Sequence, residues 1–282
     1  MALMTEQQFE QFFTPYAENV EGFYEARYWS LSDELIKELI RRHLDVEPGD
    51  RVLDAGGGTG RFALWLAGEL GVRVTVADKS ETMLAQAERN LANAGSTSVD
   101  LVLADLHDAP ELPTDGFDAI ISTYGVLSFL EDPEQVFRTL ARVLKPGGVG
   151  LLMSHSLSTA LTSKLSDGTT TAQEIRNLYQ KRVVQWSPSV PPLRVYTAQE
   201  LTDLAHTAGL EVHRTFGVTC VAHPGPEDFG YPYTGESKIS RSLQDPEFFQ
   251  AALETELSAS ADPAWSERGI NLLIKVSKPA GG

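Results

Sequence analysis

The sequence contains a single cysteine, Cys220, among its 282 residues. One thiol cannot form an intramolecular disulfide and cannot supply a cysteine-based zinc site. Long apolar runs are missing as well, since no stretch approaches the ~20 residues that span a bilayer. The first ten residues lack the basic and then apolar pattern of a secretory signal. These absences predict a cytoplasmic protein that has no membrane partner and no metal site.

Positive charge is scarce. Lys and Arg number 23 against 39 Asp and Glu, which gives a formal net charge of −16. A field of this sign repels phosphate backbones and anionic lipid surfaces, so the composition argues against nucleic acid as a partner. Hydrophobic residues make up 42% of the chain, as in soluble globular proteins with a sizeable core.

The first 44 residues are rich in aromatic side chains. Phe9, Phe12 and Phe13 fall at helical spacing, and Leu35 to Ile40 predict a second amphipathic helix. We therefore expect residues 1–44 to form an N-terminal helical cap. Phe9, Phe12 and Phe13 are expected to serve packing, and the aromatic N-terminus is compatible with a homodimer.

Residues 45–156 alternate short apolar runs with helical segments. The predicted strands are 52–53, 72–77, 99–104, 117–122 and 149–155, and the predicted helices lie around 62–70, 81–94 and 134–144. This alternation predicts a parallel sheet with helices on both faces.

The alternation ends after residue 156. Residues 157–195 are rich in Ser and Thr, end in prolines and predict a lid insertion around a helix at 172–184. Residues 196–282 contain a capping box at Thr197–Glu200 and two further strands, 210–216 and 270–276. Between these strands, residues 224–267 are expected to shape an acceptor pocket together with the lid. That pocket would be aromatic, from Trp186, Tyr196, Phe229, Tyr231 and Tyr233.

The sharpest motif is Asp54-Ala55-Gly56-Gly57-Gly58-Thr59-Gly60, between the first strand and its helix. Glycines at positions 56, 58 and 60 allow a tight turn and close approach of the backbone to a ligand. A dinucleotide loop needs a third glycine where this chain has Arg61, and Asp54 would repel a pyrophosphate. The loop suits a ligand that carries both an amine and a carboxylate, because Asp54 favours a cation and the helix N-terminus favours an anion.

This loop, together with acidic residues after the next two strands, resembles the class I S-adenosylmethionine-dependent methyltransferases of the small-molecule type. The resemblance implies a Rossmann-like α/β fold with a seven-stranded, mostly parallel sheet, and S-adenosylmethionine as cofactor. It also implies cofactor contacts from the loop and from the ends of the following strands: Asp54, Gly56, Gly58 and Gly60, Asp78 at the ribose hydroxyls, Lys79, Met83, Asp105 and Leu106 around the adenine, and Thr123 near the methionine part.

The remaining candidate site residues each have packing as an alternative role. His155, at the end of the fifth predicted strand, and Tyr124, at the end of the fourth, are the candidate general bases, with packing or a rim hydrogen bond as the alternative. Tyr28 is favoured for a cofactor contact over a hydrophobic cover for the sheet.

Three functions stay open at this point. The first is methyl transfer to a small, aromatic or hydrophobic metabolite, such as one of secondary metabolism. The second is methylation of a protein or RNA. The third is a regulatory protein that binds the cofactor without catalysis.

Overall fold

The computed structural model describes residues 6–186, 190–229 and 235–281. Within these ranges the strands are β1 (Arg51–Ala55), β2 (Arg73–Asp78), β3 (Val99–Leu103), β4 (Phe117–Ser122), β5 (Leu144–His155), β6 (Val183–Val184), β7 (Leu193–Arg194), β8 (Glu211–Val218) and β9 (Asn271–Ser277). The helices are α1 (Glu6–Phe23), α2 (Arg27–His43), α3 (Arg61–Leu70), α4 (Glu81–Ala94), α5 (Val126–Phe129), α6 (Pro133–Val143), α7 (Leu157–Ser166), α8 (Ala172–Lys181), α9 (Ala198–Thr207), α10 (Lys238–Ser242), α11 (Pro246–Ala261) and α12 (Pro263–Ser266).

Seven strands form one sheet in the order β3-β2-β1-β4-β5-β9-β8. The first five are parallel to one another, whereas β9 is antiparallel to both β5 and β8. The predicted seven-stranded, mostly parallel α/β sheet is therefore confirmed. Strands β6 and β7 form a separate two-stranded ribbon that the sequence patterns did not predict.

Both faces of the sheet are buried. Neighbouring residues of one strand enter different cores: Val52 packs with α2 and α3, whereas Leu53 packs with α6 and α9. The pair Leu151 and Leu152 on β5 divides in the same way. Strands covered on both sides have no polar face, which is why they read as continuous apolar runs in the sequence.

The helices of residues 1–44 have two different positions. α2 lies on the sheet, where Leu35 and Ile36 are fully buried. α1 instead reaches across the sheet edge to α4, and the Thr14 and Thr82 hydroxyls lie 3.4 Å apart. After β5, α7 and α8 pack around a small core of their own that includes Leu157 and Leu178. The division into segments 1–44, 45–156, 157–195 and 196–282 stays a prediction.

The topology brings the ends of several strands together at one edge of the sheet. Strands β1 to β4 are parallel, so their carboxyl ends meet at the same edge, where ligands bind in open α/β sheets. No helix of the described ranges combines the length and the apolarity that a membrane span requires.

Candidate active site

A cavity of about 220 Å³ lies at the carboxyl ends of β1 to β4. Its floor is the glycine-rich loop after β1, and its sides are the turns that follow β2, β3 and β4. α1 supplies an apolar wall. Within the described residues, no three His, Cys, Asp or Glu side chains are grouped as metal ligands would be.

The loop residues adopt the backbone that the motif predicts. Gly56, Gly58 and Gly60 have φ values of 73°, 54° and 75°, which L-residues rarely adopt. A Cβ on Gly56 would lie 2.4 Å from a methyl carbon of Val126, so the α5 helix could not sit so close. A Cβ on Gly58 would meet only the Met83 sulfur, at 3.9 Å. Gly58 thus presents open backbone to the cavity.

Asp54 is the most unusual group in the cavity. Its side chain is 1% exposed, and neither carboxyl oxygen has a hydrogen-bond partner among the described residues. Burial, and secondarily the charge of Asp78, raise the pKa of Asp54 to about 7, against an opposing effect from Arg61. A buried carboxyl without partners is costly, and a cationic ligand would satisfy it.

Asp78 lies across the loop from Asp54. One of its carboxyl oxygens accepts from the backbone N–H of Gly58 at 3.0 Å, and the other accepts from Ser80 at 2.9 Å. Burial raises its pKa, although both hydrogen bonds act in the opposite direction. The carboxylate is therefore held in a fixed orientation at the cavity.

The far end of the cavity is formed after β3. Asp105 accepts from the backbone and from Nδ1 of His107, at 3.0 and 2.6 Å. Partial burial raises its pKa, but these hydrogen bonds lower it overall. Leu106 and Met83 are buried beside it, and the Lys79 ammonium lies 3.9 Å from the centre of the Phe9 ring. The surroundings offer apolar contact with a few polar groups, as a nucleobase requires.

The turn after β4 contributes Thr123 and Tyr124 to the cavity. Tyr124 has a φ of 51°, a conformation that a non-glycine residue adopts at some energetic cost. Its hydroxyl donates to the Asp33 carboxylate and lies 3.2 Å from the Ser32 hydroxyl. Burial and the neighbouring Asp33 charge raise its pKa well above the usual value, so the phenol stays protonated at neutral pH.

Arg61 and Asp33 form an ion pair beside Tyr124 that sequence reasoning missed. Arg61 is the first residue of α3, and its guanidinium carbon lies 3.8 Å from the centre of the Tyr24 ring. Arg61 lines the cavity, so it is part of the site rather than merely the residue that breaks a dinucleotide motif. Its sequence signal was its place directly after the glycine loop.

Two predicted site residues lie away from the cavity. Tyr28 is fully buried, and its hydroxyl is 2.7 Å from that of Thr219. This corrects the expected cofactor contact, because the ring packs with Leu31 and Leu243 instead. His155 lies behind the β4 turn, where a Cβ on Gly125 would be 2.7 Å from its Nε2. Burial lowers the pKa of His155 to about 4, and it is not among the described residues lining the cavity, so geometry gives its role as a base no support.

Part of the apolar wall of this cavity comes from residues that the sequence assigned to packing. Phe9, Phe12 and Phe13 line the cavity, joined by Phe129 at 5.4 Å from Phe13 between ring centres. The expected pocket residues Trp186 and Tyr196 do not line it, and the Tyr196 hydroxyl donates to the carbonyl of Leu127. Tyr231 and Tyr233, and the side chain of Phe229, lie outside the described residues.

Residues 52–148 match the family model described as a methyltransferase domain. Two curated relatives share this part of the chain. The methyltransferase GfsG of Streptomyces halstedii is 39% identical over 117 residues, which are 41% of this chain and 41% of that protein. The demethylmenaquinone methyltransferase of Clavibacter sepedonicus is 38% identical over 117 residues, which are 42% of this chain and 46% of that protein. The chain thus matches less than half the length of these relatives.

The fold likeness extends further along the chain. A chain from the Haloferax volcanii complex between the Trm112 methyltransferase activator and a methyltransferase aligns with a TM-score of 0.61 at 20% identity. The alignment covers 97% of this chain and 98% of that one, so the outer helices and the last strands belong to the shared fold.

Proposed function

We propose that the chain, whose residues 52–148 match a methyltransferase domain, is a class I S-adenosylmethionine-dependent methyltransferase that transfers a methyl group to a small, aromatic or hydrophobic acceptor. The observation that carries this proposal is Asp54. Its two buried oxygens without partners lie at a glycine loop that leaves backbone open to the cavity. A ligand with an ammonium group fits this site, whereas a pyrophosphate does not.

When bound, the cofactor supplies a methyl group already activated on a positively charged sulfur. Asp54 receives the ammonium of its amino acid part. Asp78 accepts hydrogen bonds from both ribose hydroxyls, for which its two carboxyl oxygens are suited. Asp105, Leu106, Met83 and Lys79 would surround the adenine, and Thr123 would contact the methionine part.

The protein's contribution to the reaction is alignment and the exclusion of water. Phe12, Phe13 and Phe129 form an apolar side of the cavity that favours a flat or hydrophobic acceptor. The name of the Clavibacter sepedonicus relative, a demethylmenaquinone methyltransferase, supports an acceptor of this class. A product of secondary metabolism is one such acceptor.

The described cavity wall offers little general-base catalysis. Its ionisable side chains are Asp54, Asp78, Asp105, Lys79, Arg61, Tyr24 and Tyr124. Tyr124 is a protonated hydrogen-bond donor to Asp33, and His155 lies behind the turn. We therefore expect an acceptor atom that needs no buried base, such as a neutral amine, a thiolate or a readily ionised phenol or carbon acid.

The proposed partner is this small molecule alone, the proposed compartment is the cytoplasm, and a homodimer remains a prediction for sedimentation analysis. The net charge of −16 disfavours methylation of RNA.

Isotope transfer from methyl-labelled cofactor tests the proposal. The purified chain is incubated with quinols and phenols, small amines, a lipid extract, total RNA and denatured protein. Labelling of an aromatic or hydrophobic small molecule is expected. Labelling of only RNA or protein would contradict the proposed acceptor, and cofactor binding without transfer to any of them would favour a regulatory protein. An Asp78→Ala variant is the matched control for transfer that depends on the site.

A further inference from the structure

Arg61 is a cation placed by three separate parts of the chain. Its own position is the first turn of α3, directly after Gly60. Asp33 of α2 accepts a hydrogen bond from its Nη1. The rings of Tyr24 and Tyr124 lie 3.8 and 5.3 Å from the guanidinium carbon. A long side chain held in this way has lost its rotamer freedom before any ligand arrives, which favours binding.

The Arg61 guanidinium has unused hydrogen-bond donors. It carries five N–H groups, and within the described residues its one hydrogen bond goes to Asp33. Its side chain is 25% exposed and lines the cavity. Arginine presents a planar fork that matches a carboxylate through two parallel hydrogen bonds.

The second observation is the position of Asp54 in the same cavity. Asp54 and Arg61 are close enough for Arg61 to lower the pKa of Asp54. The cavity thus has a buried anionic acceptor without partners and a cation with unused donors, on either side of the glycine loop. This is the complement of a zwitterionic amino acid group, with the ammonium towards Asp54 and the carboxylate towards Arg61.

We propose that Arg61 binds the carboxylate of the cofactor's amino acid end and that Asp33 is the positioning residue that holds Arg61 in place. The inference rests on the proposed function and adds a binding residue to it. The N-terminal amides of α3 support the same charge, because they favour an anion at that end of the helix. Asp33 belongs to α2, so the N-terminal region would complete a subsite whose other parts come from the core.

Calorimetry with two ligands tests this assignment. S-adenosylmethionine and decarboxylated S-adenosylmethionine differ by one carboxylate, and both keep the ammonium and the adenosine. For the unaltered chain, the decarboxylated ligand is expected to bind about 10–100-fold more weakly, the usual range for a charged hydrogen-bonded pair. Arg61→Met should weaken binding of the carboxylated ligand by the same factor and change the other less than about twofold.

Three further variants make the result specific. Arg61→Lys keeps the charge but not the fork, and should recover part of the lost affinity for the carboxylated ligand. Asp33→Asn should weaken binding of that ligand about 3–10-fold, with little effect on the decarboxylated one, because only positioning is lost. Asp78→Asn is the control inside the cavity and should weaken binding of both ligands equally. Melting temperatures recorded beside each titration identify variants that do not fold.

The outcomes separate the inference from the proposed function. If neither ligand binds the unaltered, folded chain, the proposed function fails. If both ligands bind and Arg61→Lys and Arg61→Met weaken them equally, Arg61 is structural and the inference is overturned. The inference is also overturned if the unaltered chain binds both ligands with the same affinity. If Arg61→Met does not fold, the Arg61→Lys and Asp33→Asn variants decide the question, again by comparing affinity for the carboxylated and the decarboxylated ligand.

Discussion

The raised pKa of Asp54 makes cofactor binding dependent on pH. Burial and the nearby anionic Asp78 raise the pKa of Asp54, whereas the cationic Arg61 lowers it. The resulting pKa of Asp54 is about 7. Only the ionised carboxylate can pair with an ammonium, so binding must drive ionisation. The ligand amine, with a reference pKa of ~7.7–8.0, stays protonated below neutrality.

The expected size of the effect follows from the ionised fraction. With a pKa of about 7, Asp54 is roughly half ionised at pH 7 and roughly 3% ionised at pH 5.5. The apparent dissociation constant scales inversely with the competent fraction, so it should be roughly fifteenfold larger at pH 5.5 than at pH 7. Binding at pH 6 should release close to one proton.

Calorimetry with S-adenosylhomocysteine at four pH values, in two buffers of different ionisation enthalpy, measures both quantities. Asp54→Asn is isosteric and does not ionise, so its binding should be weak and should keep only the shallower dependence that comes from Asp78, whose pKa burial raises. A dissociation constant for the unaltered chain that stays within twofold from pH 5.5 to 7, without proton release, would refute this reasoning.

The same shift has a consequence for stability in the absence of ligand. Because the folded pKa lies above the unfolded one, the contribution of Asp54 is fully present below about pH 4 and is lost as pH rises through about 7. Roughly three pK units correspond to about 4 kcal/mol. Urea denaturation of Asp54→Asn at pH 7.5 should therefore give a higher free energy of unfolding than that of the unaltered chain.

Three other substitutions have defined outcomes. Asp78→Ala should weaken cofactor binding by ~1–3 kcal/mol, as expected for charged hydrogen bonds to the ribose; unchanged affinity in calorimetry would remove Asp78 from the site. Gly58→Val should abolish binding, because a side chain would fill open backbone at a φ of 54°; a variant that binds normally would contradict the loop assignment. Glu256→Gln should lower the free energy of unfolding by about 3 kcal/mol. The buried Glu256 carboxylate accepts hydrogen bonds from the backbone N–H groups of residues 220, 221 and 222 at 2.5 to 2.9 Å. An unchanged urea midpoint would show that water takes the place of the carboxylate.

The elements that rest on local patterns were predictable from the sequence. Thr197 and Glu200 form the reciprocal capping box that their spacing predicts, and the apolar runs mark the strands. Even there the strand limits differ: β5 begins at Leu144, five residues before the start of the predicted strand 149–155. A Cβ on Gly148 would lie 2.8 Å from the Asp118 carbonyl, which explains the glycine.

The parts of the site that depend on distant segments were not predictable. Arg61 and Asp33 are 28 residues apart, and Tyr124 and Asp33 are 91 apart, so no spacing rule connects them. The same is true of the α1 phenylalanines, whose helical spacing shows an apolar face but not which surface it covers. Tyr28 illustrates the converse, since a buried aromatic residue can serve packing alone, and its residue type does not show whether it contacts a ligand.

The position of α1 affects how the chain should be handled in the laboratory. Its phenylalanines line the cavity, so we expect a nucleoside to enter and leave past this helix. We expect the residence time of spent cofactor, rather than the chemical step, to set the pace of repeated turnover. Fusing a bulky tag ahead of α1, or trimming the helix away, should therefore alter how fast the nucleoside departs far more than whether the sheet folds.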